Sequence, residues 1–444
     1  MEEPLVPLAE LPTHVLAHIL ELLGDVADLA RAACVCKLWR DEVSKGMWHS
    51  VTALHLRKFH VGCAGVIKRA VDQCRNLREV DVSGCSALHA AALLPLAALP
   101  VQVLRLADLW ELRASSLLEA ICQRGTLRVL DLSGTSTALD MELVDALEPC
   151  ANLQEFRISH ARPGMLAHLT QNCTGLTSLD LSSCSGITDA CLETAALDLS
   201  CLRYARFAGC TYICHAPAAL GRYVSTLVYV DLSYTAVTDH CLAILVRSQP
   251  QLQTLLLSGC MWLEGHSLQE LAASPCVQHG RLQRLRLSEL PRMQDVCLRA
   301  LLTALKDMFR AHDCPSGFSL DLSHCGGITD ILLTSLALPQ TLVHLSLSCC
   351  DRVTGRGLAR LKSLETLRLS GCPAITPEAM QVAAASCASL RLLELPSTLS
   401  ADCLPVQAPG TGHISGIRVE GGTPMSSGRF RTRLRSRTRQ TMPP

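Results

Sequence analysis

Twenty-four cysteines and sixteen histidines are the side chains of this 444-residue chain that have the chemistry to bind a metal, form disulfides or act as nucleophiles. A zinc site usually presents close ligand pairs of the Cys-x-x-Cys kind. No such pair occurs, and Cys34-Val-Cys36 and Cys349-Cys350 are too tightly spaced to replace one. Neither a Gly-rich phosphate loop nor a Gly-x-Ser-x-Gly elbow is present, and no histidine stands beside a cysteine or serine in a local catalytic signature. The expectation is therefore no catalytic residue, no metal site and no cofactor, so the chain is not expected to be an enzyme. The opening Met-Glu-Glu-Pro-Leu lacks the basic and apolar stretches of a secretory signal. The cysteines are then expected to stay reduced in a cytoplasmic or nuclear protein, and the sequon Asn172-Cys-Thr174 to go unused.

The cysteines follow a period. A template Leu-x-x-Leu-x-Leu-Ser-x-Cys is clearest at Leu176 to Cys184, Leu252 to Cys260 and Leu364 to Cys372. Taking its first residue as position 1, the anchors are Val51, Leu77, Val101, Leu127, Leu153, Leu176, Leu202, Leu227, Leu252, Leu282, Gly317, Leu342, Leu364 and Leu390. Cys85, Cys184, Cys210, Cys260, Cys325, Cys350 and Cys372 all fall at position 9, and Cys74, Cys150, Cys173, Cys314 and Cys387 three residues before an anchor. A small thiol repeated at one turn is a packing group, expected buried and metal-free. Most anchors are 22 to 26 residues apart, with wider steps of 30 and 35 around Leu282 that imply loop insertions. That period matches the leucine-rich repeat, in which short parallel strands alternate with helices around a curved α/β solenoid. Ile187-Thr-Asp189, Val237-Thr-Asp239 and Ile328-Thr-Asp330 add to a resemblance to the cysteine-containing subclass of these repeats. Residues 51–400 are read as about 14 units. With 49% hydrophobic but only 3% aromatic residues, leucine must fill the core. The longest apolar run, Ala90 to Leu99, is interrupted by Pro95 and too short to span a membrane.

Residues 8–50 change to helical spacing. Leu16, Ile19, Leu20 and Leu23 recur at i, i+3, i+4 and i+7, Gly24-Asp25 breaks the pattern, and Leu29, Ala32, Ala33, Cys36 and Trp39 resume it, with Asp28 as N-cap. Val43, Met47 and Trp48 continue the stripe. A helical unit of about 40 residues has too little core to stand alone. Leu11-Pro12, Val15-Leu16, Ile19-Leu20, Leu29, Val35-Cys36, Trp39 and Met47-Trp48 resemble the F-box, and this order of modules resembles the F-box/leucine-rich-repeat proteins. His14 departs from the acidic residue usual there. The resemblance implies a substrate-recognition subunit of an SCF-type ubiquitin ligase. In it, Leu11, Pro12, Leu16, Ile19, Leu20, Leu29, Val35 and Trp39 face a Skp-type adaptor joined to a cullin, and the repeats hold a protein substrate. Two other readings are a helical cap on the first repeat, and a repeat scaffold or inhibitor without any ligase role.

If template positions 4 and 6 point into the core, positions 3, 5 and 7 line the open face. Position 5 reads Arg105, Asp131, Arg157, Asp180, Arg206 and Asp231, an alternation of sign that predicts lateral ion pairs and makes a poor polyanion site. A nucleic-acid partner is not expected. Leu-Asp-Leu-Ser is habitual in such repeats, so the informative residues are the departures. Tyr204, Arg206, Tyr229, Asp231, Leu256 and Trp262 form the expected substrate site, because exposed tyrosine and arginine favour binding hot spots. Residues 404–444 hold seven arginines and one glutamate, net +6, amid Gly, Pro, Ser and Thr. This tail is expected to be disordered, serving as a nuclear address, an RNA-binding arm or a solvated end.

Overall fold

In a computed structural model of the chain, the described residues are 16, 20, 25–44, 48, 51–57, 63–311, 317–335, 342–400 and 418–423. Each of the fourteen anchors opens a short strand or lies one or two residues before one. The first eight are β1 Ala53–His55, β2 Glu79–Asp81, β3 Val103–Arg105, β4 Val129–Leu132, β5 Glu155–Ile158, β6 Ser178–Asp180, β7 Tyr204–Arg206 and β8 Tyr229–Asp231. They continue as β9 Thr254–Leu256, β10 Arg284–Arg286, β11 Phe318–Asp321, β12 Leu342–Ser346, β13 Thr366–Arg368 and β14 Leu392–Ser400. A further strand, β15 Arg418–Thr423, completes a parallel sheet ordered strictly by sequence. Helices alternate with the strands and pack on the helices of neighbouring units. Strands repeat about every 4.8 Å and packed helices every 8 to 10 Å, so the sheet side is the shorter and becomes concave.

Position 4 of every unit is buried, from Leu54 and Val80 through Phe156, Ala205 and Leu255 to Leu393, and these residues belong to one continuous core. Position 9 has its own geometry. The thiols of Cys85, Cys184, Cys210, Cys260, Cys325, Cys350 and Cys372 donate to the carbonyls of Leu56, Ile158, Leu181, Leu232, Leu287, Leu322 and Leu347, at 2.8 to 3.3 Å. Each acceptor is position 6 of the preceding unit. Thr135 and Thr235 occupy the same slot and bond their own Leu132 and Leu232 carbonyls. In these nine units the slot takes a small side chain with one donor, and in others Leu109, Leu290 and Ala161 fill it without one. Burial pushes the Cys184 and Cys350 thiols up to about 12 and Cys260 to about 11.

Position 8, just before that slot, turns left-handed. Gly84, Gly134, Gly209, Gly259 and Gly371 have positive φ there, and so do Asp108, Ser183, Tyr234, Glu289, His324 and Cys349. The Ser-Gly-Cys triplet thus records a backbone demand that glycine meets without strain. The Thr-Asp motifs stitch each unit to the next. Asp189 Oδ1 accepts the backbone N–H groups of Cys214, His215 and Ala216 at 2.7 to 2.9 Å. Asp239 does the same for Glu264, Gly265 and Ser267, and Asp330 for Thr354 and Gly355.

Two expectations are corrected. Where one helix was read from Leu29 to Trp39, the chain forms α1 Val26–Ala32 and α2 Lys37–Ser44 with a turn between them. Asp28 lies inside α1 and pairs with Arg31 at 2.6 Å instead of capping it. In the tail, β15 adds to the edge of β14, with Val419 beside Leu393 at position 4 of a degenerate unit. An exposed sheet edge offers unpaired backbone groups, which a short segment with one inward apolar residue can take up. The rest of residues 404–444 lies outside the described residues.

Candidate functional site

On the open face, the expected ladder of lateral ion pairs forms at one of its first five rungs. Arg157 Nη1 meets Asp131 Oδ2 at 3.4 Å. Arg105 instead pairs with Glu79. The other aspartates turn back on their own chain: Asp180 and Asp231 each accept the backbone N–H two residues on, from Ser182 and Ser233, at 3.0 Å. Asp131 and Asp321 make the same bond to Ser133 and Ser323. One carboxylate oxygen of each of these aspartates is taken by the amide at its own strand end, and in Asp131 and Asp321 the other oxygen is left for an arginine one strand away. The Asp-Leu-Ser habit is therefore a strand terminator.

Two residues earlier, at position 3, two consecutive strands carry aromatic rings. Tyr204 and Tyr229 are register neighbours on β7 and β8, with ring centroids 6.5 Å apart and planes inclined by 35°. The Arg206 guanidinium lies 4.5 Å from the centroid of Tyr229. Tyr204 is 38% exposed. These three side chains form one rigid plate, held by contacts of about 0.5 to 1.5 kcal/mol each. Asp231 borders the plate but is committed to Ser233. Leu256, expected to extend the surface, is buried at 7% exposure and is corrected to a supporting role. Its concave position does not expose it: it lies between Asp231 and the longer Arg286 on the adjoining strands. Trp262 is 60% exposed in the turn after β9.

One neighbour of this plate escaped the sequence reading. Tyr234 adopts φ +59, rare for a bulky residue, and is half exposed. Its ring lies against Gly259, where an added Cβ would come within 2.4 Å of it. Its hydroxyl donates to Glu289 Oε1 at 2.7 Å. Met261 and Tyr212 are also exposed at positions 10 and 11 of their units. Together with Trp262 they place apolar groups along the edge where the strands end, beside the tyrosine plate. The signal was in the sequence, as an aromatic at a position that elsewhere holds glycine or a smaller polar residue.

At the N-terminus the expected adaptor face divides. Leu16, Leu20 and Leu29 are fully buried and Trp39 nearly so, all within the core that continues into the repeats. Asp25 bridges to Ala53, and α1 packs on β1. The expectation that this stripe lacks an internal core is corrected: the first repeat supplies one. Val35, in the turn between α1 and α2, is 56% exposed. Leu11, Pro12, Ile19 and His14 lie outside the described residues. Among the described residues, 22 cysteines are free, and no group of three or more His, Cys, Asp or Glu is placed to hold a metal ion. No described helix is long and apolar enough to cross a membrane.

Residues 8–53 match the family described as F-box-like, and residues 172–193 and 339–362 match the one described as Leucine Rich repeat. A curated relative is Lysine-specific demethylase 2A of Xenopus tropicalis, 29% identical over 172 residues. The match covers 34% of this chain and 14% of that relative. Among solved structures, a chain of the Rad7–Elc1 complex of yeast superposes with a TM-score of 0.52 at 16% identity, covering 93% of this chain and 89% of that one. A leucine-rich-repeat protein of Leptospira interrogans gives 0.48 at 16% identity, over 80% of this chain and 86% of that one. At 16% identity the likeness to the yeast chain concerns the fold.

Proposed function

We propose that this chain, in which an F-box-like domain precedes a leucine-rich-repeat solenoid, is the substrate-recognition subunit of an SCF-type ubiquitin ligase. The observation that carries the reading is the F-box-like segment at 8–53 running directly into a single repeat sheet whose open face bears an aromatic and arginine plate. The F-box docks to a Skp-type adaptor and through it to a cullin, and the plate around Tyr204, Arg206 and Tyr229 holds the substrate. The protein itself performs no bond chemistry. It raises the effective concentration of a substrate lysine near the loaded conjugating enzyme. The reading puts it in the cytoplasm or nucleus.

A second role is favoured by the burial of Leu16, Leu20, Leu29 and Trp39: the same helices cap the first repeat, which would otherwise expose its apolar end. Both roles coexist if the adaptor contacts the outer side of the module, where Val35 stands. The test is co-purification of the adaptor with the full chain. The parent should retain it, and Val35→Asp should lower retention about tenfold or more with an unchanged thermal transition. A folded parent that retains no adaptor would leave a repeat scaffold or inhibitor as the function.

A further inference from the structure

We infer that the open face carries, on β10 to β12, a subsite for a phosphorylated serine or threonine of the bound protein segment. The inference rests on the substrate reading of this face given above. Along template position 3, Arg284, Ser319 and His344 are consecutive register neighbours, followed by Thr366 on β13. Arg284 and His344 are exposed, and among the described residues neither side chain has a hydrogen-bond or ion-pair partner. Two strand spacings separate them, roughly 10 Å, and the small Ser319 between them leaves a notch flanked by two cation-forming side chains. A cleft of about 320 Å³ opens there, also lined by Thr366, Arg368 and Asp321.

The neighbouring position-5 row does not cancel this charge. Asp321 is already used: Oδ2 meets Arg286 at 3.2 Å and Oδ1 accepts the Ser323 amide and hydroxyl. Arg368 is paired with Glu394 at 3.1 Å, which lies outside the cleft. The position-3 row itself, from Tyr204 through Tyr229, Thr254, Arg284, Ser319 and His344 to Thr366, holds no carboxylate. A single carboxylate side chain has too few oxygens to engage both flanking cations and the hydroxyls of Ser319 and Thr366 between them. A phosphoryl group has three acceptor oxygens and close to two charges. A nucleic acid would need a continued run of cations, and the row supplies one notch beside internally neutralised pairs.

The same row fixes a spacing. Tyr229 on β8 and Ser319 on β11 are three strands apart, about 15 Å, which an extended segment covers in roughly four to five residues. The phosphorylated residue should therefore sit about that far from an apolar side chain resting on the tyrosine plate.

The test uses the full chain and three fluorescent pools of degenerate 13-residue peptides, with phosphoserine, serine or glutamate fixed at the centre. Polarisation should show the phosphoserine pool binding about tenfold or more tightly than either other pool. Arg284→Gln with His344→Gln should abolish that preference without changing the thermal transition. Tyr204→Ala with Tyr229→Ala should weaken every pool and leave the preference intact. Equal behaviour of the phosphoserine and glutamate pools, or a preference that survives loss of Arg284 and His344, overturns the subsite. If the pools do not differ but the tyrosine variant still loses binding, the subsite falls and the substrate face stands. A 12-nucleotide oligouridylate that binds through Arg284 and displaces the phosphoserine pool would assign the notch to RNA instead.

Discussion

At the residue scale, one thiol does the same task in seven units. Each position-9 cysteine buries a small side chain and donates to the carbonyl that ends the preceding strand, so it ties neighbouring units without any covalent bond. Cys184, Cys260 and Cys372 are buried, and burial pushes the first two to about 12 and about 11 and raises the third. The thiolate is the reactive form, so at pH 8 Cys184 and Cys260 should alkylate at least about a hundredfold more slowly than a free thiol, and Cys372 more slowly than one. Mass spectrometry after timed iodoacetamide treatment checks this, with the exposed Cys34 and Cys201 as internal controls. Prompt labelling of Cys184 in folded protein, or stoichiometric zinc, would contradict the packing role. Position 8 makes a complementary prediction. Ser183 holds φ +66, a conformation that costs an L-residue about 1 kcal/mol, so Ser183→Gly should raise stability by up to roughly that amount in urea unfolding.

At the element scale, the aspartate after each Ile-Thr or Val-Thr acts across units. Asp189 precedes no chemistry, yet its carboxylate gathers three amides at the start of the next unit's helix. Removing it strands three donors that a truncated side chain leaves without an acceptor. Asp189→Ala should destabilise by about 1 to 3 kcal/mol, whereas Asp198→Ala, which loses one long contact to Thr170 at 3.4 Å, should cost much less. Chemical unfolding of the two variants side by side decides it. Gly259 plays a different part, because its left-handed φ disfavours a side chain and the Tyr234 ring leaves no room for one. Gly259→Ala should lower stability by about 1 to 3 kcal/mol and displace the tyrosine.

At the scale of the whole molecule, the F-box-like helices and the repeats share one core, so damage to either is felt by both. Leu16→Asp places a charge at a fully buried position and should melt the N-terminal cap together with the first repeats, lowering the thermal transition itself. A Leu16→Asp protein with the parental transition but no adaptor binding would return that residue to the contact face. Val35→Asp separates the two roles because its side chain is already in solvent. On the opposite side, Tyr204→Ala with Tyr229→Ala should cost the substrate about 2 kcal/mol or more, near thirtyfold in affinity, and leave the adaptor bound. Partner profiling by affinity capture, with circular dichroism beforehand, tests both expectations. If aspartate substitutions such as Asp131→Ala remove partners and the tyrosine pair does not, the site lies on other strands.

The period of the leucines, the position of each strand and the packing role of the cysteines were legible because a repeat writes its local demands many times over. Fourteen copies of one pattern average away the noise that makes a single strand ambiguous. The left-handed turn at position 8 and the stitching aspartate were visible only as letters that recur, with no reason attached until the backbone bonds were seen. Distances between units had to come from the tertiary structure. Asp180 and Asp231 answer to their own strand ends and not to the arginines beside them, whereas Asp131 and Asp321 serve both, Leu256 is covered, and the Leu16 stripe finds its core in the first repeat. Each of these outcomes depends on how far a side chain reaches across about 4.8 Å of sheet or onto a neighbouring module. A sequence places residues along a chain, but such competitions are settled only when separate parts of the chain stand side by side.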